Sequence, residues 1–516
     1  MLPGEDPMLA TALTAAILGV EAHLVRVEAD VAGGFPRFVM VGLPDSAVKE
    51  SEARIRAALR NCGYSFKWDR RITVNLAPAN LRKYGSSFDL ATALGLLAAD
   101  GAAVRSGLAG ALLVGELALD GAVRPVSGVL PMLLLARRRG LATAIVPVAN
   151  HREAALVPDL AVHPVATLDE AVALVSAEAP PPPPPPPAPH AARTPPPDLA
   201  DVRGQPLARR ALEIAAAGSH NLLLVGPPGA GKTMLARRLP GILPDLSPSE
   251  ALEVAAVHSA AGRADSDVPA SRPFRSPHHT ASDVALAGGG SVPQPGEVSL
   301  AHRGVLFLDE LPEFRRHALE VLRQPLEEGQ ITISRRRGTV CLPARFQLVA
   351  AMNPCPCGQA GAVARPCRCT AREARAYRNR ISGPLMDRMD LHVGVPPLAY
   401  SEINAPPAEP SSRVASRVAA ARQRQLARAP VTGAPSNARL STDALREVAR
   451  PAGDGDALLQ HAVDRLGLTA RGLDRLLRVA RTLADLADRD EVTTRDLTEA
   501  LHFRLGVSDA GLEGLP

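Results

Sequence analysis

The apolar run Asn221-Leu-Leu-Leu-Val225 leads directly into Gly226-Pro-Pro-Gly-Ala-Gly-Lys-Thr233. No other stretch constrains the fold so tightly. A short buried strand must give way to a glycine-rich loop and then to a helix, the order in which α/β proteins wrap nucleotide phosphates. Gly226, Gly229 and Gly231 allow the tight turn, and Pro227, Pro228, Ala230 and Met234 complete the expected cradle. Lys232 is placed to hold the β- and γ-phosphates of ATP, and Thr233 to ligate Mg²⁺. Of 58 basic residues only four are lysines: Lys49, Lys67, Lys83 and Lys232. A chain this biased toward arginine keeps a lysine in the loop for chemical reasons.

The chain has 516 residues, room for about three domains. Its net charge of +5 is a small excess over 58 basic and 53 acidic residues, so the distribution matters more than the sum. Between Arg335 and Arg380 ten arginines face a single acid, Glu373, a segment suited to a polyanionic partner. The apolar patch from Met8 to Val20 follows Glu5 and Asp6 and lacks the basic flank of a secretory signal. No apolar run reaches membrane-spanning length, so a cytoplasmic protein with no membrane partner is expected. Four of the six cysteines fall in Cys355-x-Cys357 and Cys367-x-Cys369, a spacing that suits a metal cluster better than a disulfide framework.

Eight consecutive prolines, Pro180 to Pro187, cannot join helix or sheet ladders and are expected to form an extended spacer of roughly 25 Å. With Pro189 and Pro195 to Pro197 they divide the chain. Residues 1–176 alternate β-like runs (Val25 to Val31, Phe38 to Val41, Arg71 to Leu76, Ala111 to Leu117) with helical stretches (Ser46 to Arg60, Phe88 to Ala99, Val129 to Arg139), as expected of an α/β domain. Residues 177–197 form the linker, 198–400 the nucleotide-binding core, and 401–516 a helical domain with caps at Ser441-Thr-Asp443 and Thr493-Thr-Arg-Asp496.

Val305-Leu-Phe-Leu ends in Asp309 and Glu310, the second half of a hydrolytic site: Asp309 for Mg²⁺ and Glu310 to orient the attacking water. A third strand, Phe346 to Met352, ends in Asn353, which can position the same water. The succession GPPGAGKT, LFLDEL, AAMN, Pro384-Leu-Met-Asp-Arg388-Met-Asp and Leu468-Thr-Ala-Arg471 resembles the AAA+ ATPases, in particular the helix-2-insert branch of magnesium chelatase and the minichromosome-maintenance helicases. The resemblance implies an AAA+ core with a C-terminal helical lid. It also implies that Asn353 is the first sensor, Arg388 an arginine finger serving the neighbouring subunit, Arg471 the second sensor, and the assembly a homo-hexameric ring.

Three longer segments narrow the resemblance: Arg272-Pro-Phe-Arg-Ser-Pro-His-His-Thr280, Gly288-Gly-Gly-Ser-Val-Pro-Gln-Pro-Gly-Glu297-Val-Ser-Leu-Ala-His302 and Asn353-Pro-Cys-Pro-Cys-Gly358. They are similar to the magnesium-chelatase-like YifB/ComM family, whose described activity implies an ATP-driven helicase that migrates branched DNA during natural transformation. A chelatase-type ATPase that remodels a metal-insertion partner is the alternative. Adjacent histidines usually point different ways, so a structural or subunit-contact role is expected for His278 and His279.

Gln330-Ile-Thr-Ile333 and Thr339-Val-Cys-Leu342 flank Ser334-Arg-Arg-Arg-Gly338, a hairpin whose tip carries Arg335, Arg336 and Arg337. Such a tip grips DNA phosphates without reading bases. In related ring helicases the equivalent hairpin enters the pore, and Gly288 to Pro295 would be a second pore element. Cys355, Cys357, Cys367 and Cys369 offer four thiolates for a structural Zn²⁺; free thiols or a redox pair are the other readings.

In the first domain, Lys83-Tyr-Gly-Ser-Ser87-Phe-Asp and Arg124-Pro-Val-Ser-Gly-Val-Leu130 resemble the catalytic segments of Lon-type proteases. Ser87 stands where the nucleophile belongs, but Leu130 replaces the lysine base and cannot accept a proton. The resemblance therefore implies an inactive Lon-protease-like α/β domain used for assembly or substrate loading.

Overall fold

The computed structural model describes residues 9–101, 108, 110–177, 181–185, 196–263, 271–290, 293–335, 338–360 and 366–505. The first nine strands are β1 Leu9–Leu18, β2 Glu21–Ala32, β3 Arg37–Val41, β4 Arg71–Ala77, β5 Ala111–Leu113, β6 Glu116–Leu117, β7 Val123–Arg124, β8 Thr143–Pro147 and β9 Ala161–Val165. Seven of them form a mixed sheet ordered β3-β4-β2-β1-β5-β8-β9. The apolar patch at the amino terminus is thus a central strand. It turns through Gly19, at φ +68°, into an antiparallel pairing with β2.

Two expected elements are divided. Glu50 separates Ser46–Lys49 from Ser51–Asn61, where the Asp45 carboxylate caps the first short helix at Val48. The run from Ala111 to Leu117 leaves the sheet at Val114, whose successor Gly115 donates its N–H to the Ser87 carbonyl. Helix Asp89–Ala99 is buried along its whole length, as its Leu- and Ala-rich sequence requires.

The second unit contains β10 Leu222–Val225, β11 Phe274–Arg275, β12 Gly288–Gly289, β13 Gln294–Pro295, β14 Val305–Leu308, β15 Gln330–Arg335, β16 Gly338–Pro343, β17 Gln347–Met352 and β18 Leu391–Gly394. Five of them form a sheet ordered β11-β14-β17-β10-β18, with every described pairing parallel. All residues of β10, β14 and β17 are buried, because helices cover both faces of a parallel sheet. In such a sheet the ligand site lies beyond the carboxyl ends of the strands.

The helices Ser411–Thr432, Thr442–Val448, Gly455–Leu466, Ala470–Leu486 and Thr494–Leu505 form the carboxy-terminal helical unit. The Ser441 hydroxyl caps its helix at the Ala444 N–H, and the Asp496 carboxylate accepts the Thr493 N–H at 2.8 Å. Val418, Leu476, Val479 and Leu483 share one apolar core with Leu212 and Leu222 of the nucleotide-binding unit.

The first unit packs on the second at two places. Ser259, on helix Pro248–Ala260, accepts the Gly128 N–H at its carbonyl and the Leu130 N–H at its hydroxyl. Leu18 and Val20 pack into the core that contains Val340 and Leu342 of β16. The proline run falls partly outside the described residues; 181–185 belong to no helix or strand. Among the described residues no helix is long and apolar enough to cross a membrane.

Candidate functional site

Three adjacent parallel strands, β14, β17 and β10, end side by side, and their carboxyl ends deliver Asp309, Asn353 and the loop from Gly226 to Thr233. The Lys232 ammonium donates to the carbonyls of Gly226 (2.6 Å) and Pro227 (2.9 Å) and to Oδ1 of Asn353 (3.1 Å). All three acceptors are neutral, and burial lowers the Lys232 pKa against the pull of Asp309 and Glu310. A buried ammonium whose hydrogen-bond acceptors are all neutral suits an anionic ligand. Gly229, at φ +79°, has no atom within 4 Å of where a Cβ would lie, which leaves the space a phosphate needs. The Thr233 hydroxyl donates to Oδ2 of Asp309 at 2.6 Å, so the two expected Mg²⁺ ligands are already adjacent.

Glu310 follows Asp309 in a left-handed conformation, φ +52°, that puts its exposed carboxylate 3.1 Å from Nδ1 of His279. The second histidine of the Arg272–Thr280 segment therefore contacts the acid expected to orient water, a contact its sequence spacing does not reveal. Tyr377 is a second residue that sequence reasoning missed. Burial and the nearby Glu313 and Glu310 push its hydroxyl up to about 12, and that hydroxyl meets the Asn353 backbone N–H.

Arg388 and Arg471 do not join this cluster. The Asp390 and Leu391 amides donate to the Asn221 carbonyl, which puts Arg388 at the amino end of β18, beside the start of β10. Lys232 lies beyond the opposite end of β10. The four residues of β10, a rise of about 10 Å from first to last, lie between the two backbones. Arg388 is buried, donates to the Pro384 carbonyl at 2.6 Å and pairs with Glu327; Arg323, Arg475 and Arg471 add to the effect of burial in lowering its pKa. Arg388 and Arg471 thus belong to one cationic face, away from the phosphate loop of their own chain.

The four cysteines of the loop after Asn353 converge, with all sulfurs within 4.8 Å of one another. The Sγ separations from Cys355 to Cys357, Cys355 to Cys367 and Cys357 to Cys367 are 3.4, 3.6 and 3.6 Å. These distances are too long for disulfides and close to the roughly 3.8 Å edge of a tetrahedral Zn–thiolate site. Backbone N–H groups of Arg368 and Gln359 pull the Cys357 thiol down to about 6, which favours the ligating thiolate. Gly358, at φ +75°, seats the loop against the Pro228 ring, where a Cβ would meet Cδ at 2.5 Å. The cluster therefore touches the phosphate loop through Pro228 and continues the chain that carries Asn353.

The hairpin forms with Arg335 paired to Gly338. Arg336 and Arg337 lie outside the described residues, as does the Arg335 side chain. β12 and β13 pair Gly288 with Pro295 and Gly289 with Gln294, so the proposed second pore element is also a small hairpin. In the first unit Ser87 is buried, and the Lys83 ammonium donates to the carbonyls of Gly42 and Pro78, where burial lowers its pKa. Leu130 is fully buried at the contact with Ser259.

Residues 198–403 match the family model described as magnesium chelatase, subunit ChlI; residues 27–150 match subunit ChlI of Mg-chelatase, and 408–504 its C-terminal part. An uncharacterized protein of Mycobacterium tuberculosis is 47% identical over 501 residues, 96% of this chain and 98% of that protein. The uncharacterized protein YifB of Escherichia coli is 44% identical over 95% of this chain and 96% of its own length. The competence protein ComM of Haemophilus influenzae is 43% identical over 96% and 97%. With the phosphate loop, Asp309 and Asn353 at the ends of one parallel sheet and relatives matched along nearly the full length, the chain belongs to the YifB/ComM family of magnesium-chelatase-like AAA+ proteins.

Proposed function

We propose that this chain is an ATP-driven DNA motor that works as a homo-hexameric ring in the cytoplasm and migrates branched DNA during natural transformation or recombination. One observation carries the reading: Lys232 and Arg388 stand at opposite ends of the core sheet, which supports a finger that serves the γ-phosphate of a neighbouring chain. Thr233 and Asp309 would hold Mg²⁺, which would neutralise phosphate charge. Lys232 and the loop amides hold the β- and γ-phosphates, Asn353 positions water and Glu310 accepts its proton. Arg388, with Arg471 beside it, supplies positive charge to the adjoining site. The hairpin carrying Arg335, Arg336 and Arg337 grips the backbone of a single strand. One relative is named a competence protein, which fits incoming DNA as substrate. Cys355, Cys357, Cys367 and Cys369 would hold a structural Zn²⁺.

The test is ATPase stimulation by single-stranded and forked DNA, together with strand displacement from three- and four-stranded junctions. Displacement that needs ATP and Arg336-Arg337 supports the motor. A rate indifferent to DNA, with binding unchanged after Arg336→Ala and Arg337→Ala, overturns it. The magnesium-chelatase description of the matched models favours one second reading, a ring that remodels a metal-insertion partner. That reading expects stimulation by a partner protein and none by DNA.

A further inference from the structure

The edge of the core sheet opposite the phosphate loop carries a cleft of about 470 Å³ between the nucleotide-binding unit and the helical unit. Ser219, Gly304 and Gln347 mark its floor at the amino ends of β10, β14 and β17, and five arginines line it: Arg272, Arg303, Arg345, Arg422 and Arg439. The two acids in its wall do not balance them. Glu250 is divided between Arg272 (3.2 Å) and Arg303 (3.3 Å), while Glu253, behind Arg303, takes it at 2.8 Å. Asp245 is the other acid of the lining, and its backbone carbonyl is engaged by Arg272.

Among the described residues Arg345, Arg422 and Arg439 have no ion-pair partner. Arg422 bonds the Ser219 hydroxyl, yet its Nε is buried with no acceptor. Burial lowers Arg422 to about 10, and Arg272 adds to that lowering; burial, Arg345 and Arg303 lower Arg439. The guanidinium groups lower one another across the cleft, and Glu250 offsets the effect at Arg422 only in part. Arginine forks match phosphate oxygens in geometry as well as charge. Phe346 is the one aromatic ring in the lining, so the cleft offers little for stacking a base and much for holding a phosphate.

We propose that this cleft is a second phosphate-binding site, separate from the nucleotide loop, that takes a phosphate group through Arg345, Arg422 and Arg439. A nucleic-acid backbone and free polyphosphate share that chemistry. The nucleic-acid source rests on the DNA reading above, whereas the free-phosphate source does not. Arg345 lies two residues beyond β16 and packs against Gly329 at the foot of the arginine-tipped hairpin, so a strand held there would pass the hairpin base.

The test uses the full chain with its nucleotide loop saturated by a non-hydrolysable ATP analogue and Mg²⁺. Arginines are modified with phenylglyoxal and mapped by mass spectrometry, with tripolyphosphate or a single-stranded oligonucleotide as probe. Modification of Arg345 and Arg439 should fall several-fold with at least one probe; protection by tripolyphosphate alone identifies the free-phosphate source. For the oligonucleotide, Arg345→Gln with Arg439→Gln should flatten the slope of log affinity against log salt by about 0.7 for each phosphate no longer neutralised, and lysine at both positions should restore it. Unprotected arginines with an unchanged slope overturn the site, as does protection caused by assembly of the chain without any probe. Oligonucleotide binding that persists with both arginines unprotected defeats the cleft and spares the DNA reading. Tripolyphosphate protection without oligonucleotide binding does the reverse.

Discussion

Arg388 pairs with Glu327, which lies in helix Arg323–Glu328 immediately before Gly329 and the first strand of the arginine-tipped hairpin. The residue assigned to a neighbour's γ-phosphate is thus tied in its own chain to the element assigned to DNA. On the proposed reading, an Arg388 that left Glu327 for a phosphate would free the helix that precedes β15 and so link hydrolysis to hairpin movement.

The first prediction concerns that division of labour. Arg388→Ala and Lys232→Ala should each lower kcat by about 10³-fold or more. Mixed together, they should regain activity, because roughly a quarter of randomly formed ring interfaces pair an intact loop with an intact finger. Steady-state ATPase of mixed and unmixed chains reads this directly. No recovery on mixing would show that the finger acts within its own chain.

The second concerns Glu310. Glu310→Gln should lower kcat by about 10²- to 10⁴-fold while nucleotide affinity stays within a factor of two, since only proton acceptance is removed. His279 holds that carboxylate at 3.1 Å in a half-exposed pair, an interaction of about 0.2–1 kcal/mol. His279→Ala should therefore raise the DNA-free rate by about 1.5- to 5-fold and narrow the stimulation by DNA. An unchanged ratio of stimulated to basal rate would rule out a gating role for His279.

The third concerns the cysteine cluster. Cys355→Ser should release about one zinc per chain by metal analysis, and should weaken nucleotide binding because Gly358 seats on Pro228 and Asn353 begins the same loop. Gly358→Ala should keep the zinc and still weaken nucleotide binding, since its Cβ would press on Pro228 at a positive φ. Chelation with no loss of metal or affinity would return the cluster to plain thiols.

The fourth concerns stability. Asp390 is buried; burial alone would raise its pKa, but His220, Arg475 and the Asn221 N–H outweigh that and hold it at about 2. Its folded pKa lies below the unfolded value of about 3.9, so its contribution is complete above that value and is lost as pH falls toward 2. Asp390→Asn should cost about 3–5 kcal/mol near neutral pH, because Arg475 loses its partner 2.7 Å away. Thermal melting of both chains should show a gap that is constant above about pH 4 and closes below it. A gap independent of pH down to the acid limit would remove Asp390 from this role.

Where burial dictates residue type, the fold is legible in the sequence. β10, β14 and β17 read as uninterrupted apolar runs because helices exclude water from both their faces. The glycines of the phosphate loop are legible because no other residue turns so tightly. The strand from Leu9 to Leu18 reads only as an apolar patch, since its half-buried pattern does not declare its partner. β8 and β9 stay hidden in the sequence because runs of five mostly apolar residues carry too little periodicity to be told from a buried helical segment.

The sequence alone determined which chemistry the chain carries: an ammonium, a hydroxyl, two acids and an amide in the order of a nucleotide site, four clustered thiols, and a run of arginines. Those groups are local, and their identities survive without any knowledge of neighbours. Tertiary structure decided which of them meet. The strand order β14-β17-β10 brings Asp309, Asn353 and Lys232 to one edge, while the pairing of β10 with β18 leaves Arg388 at the other. It also brought His279 to Glu310, Glu327 to Arg388 and five arginines to one cleft. Contacts between residues far apart in the chain depend on how strands are ordered and helices packed, and that order is a property of the whole core.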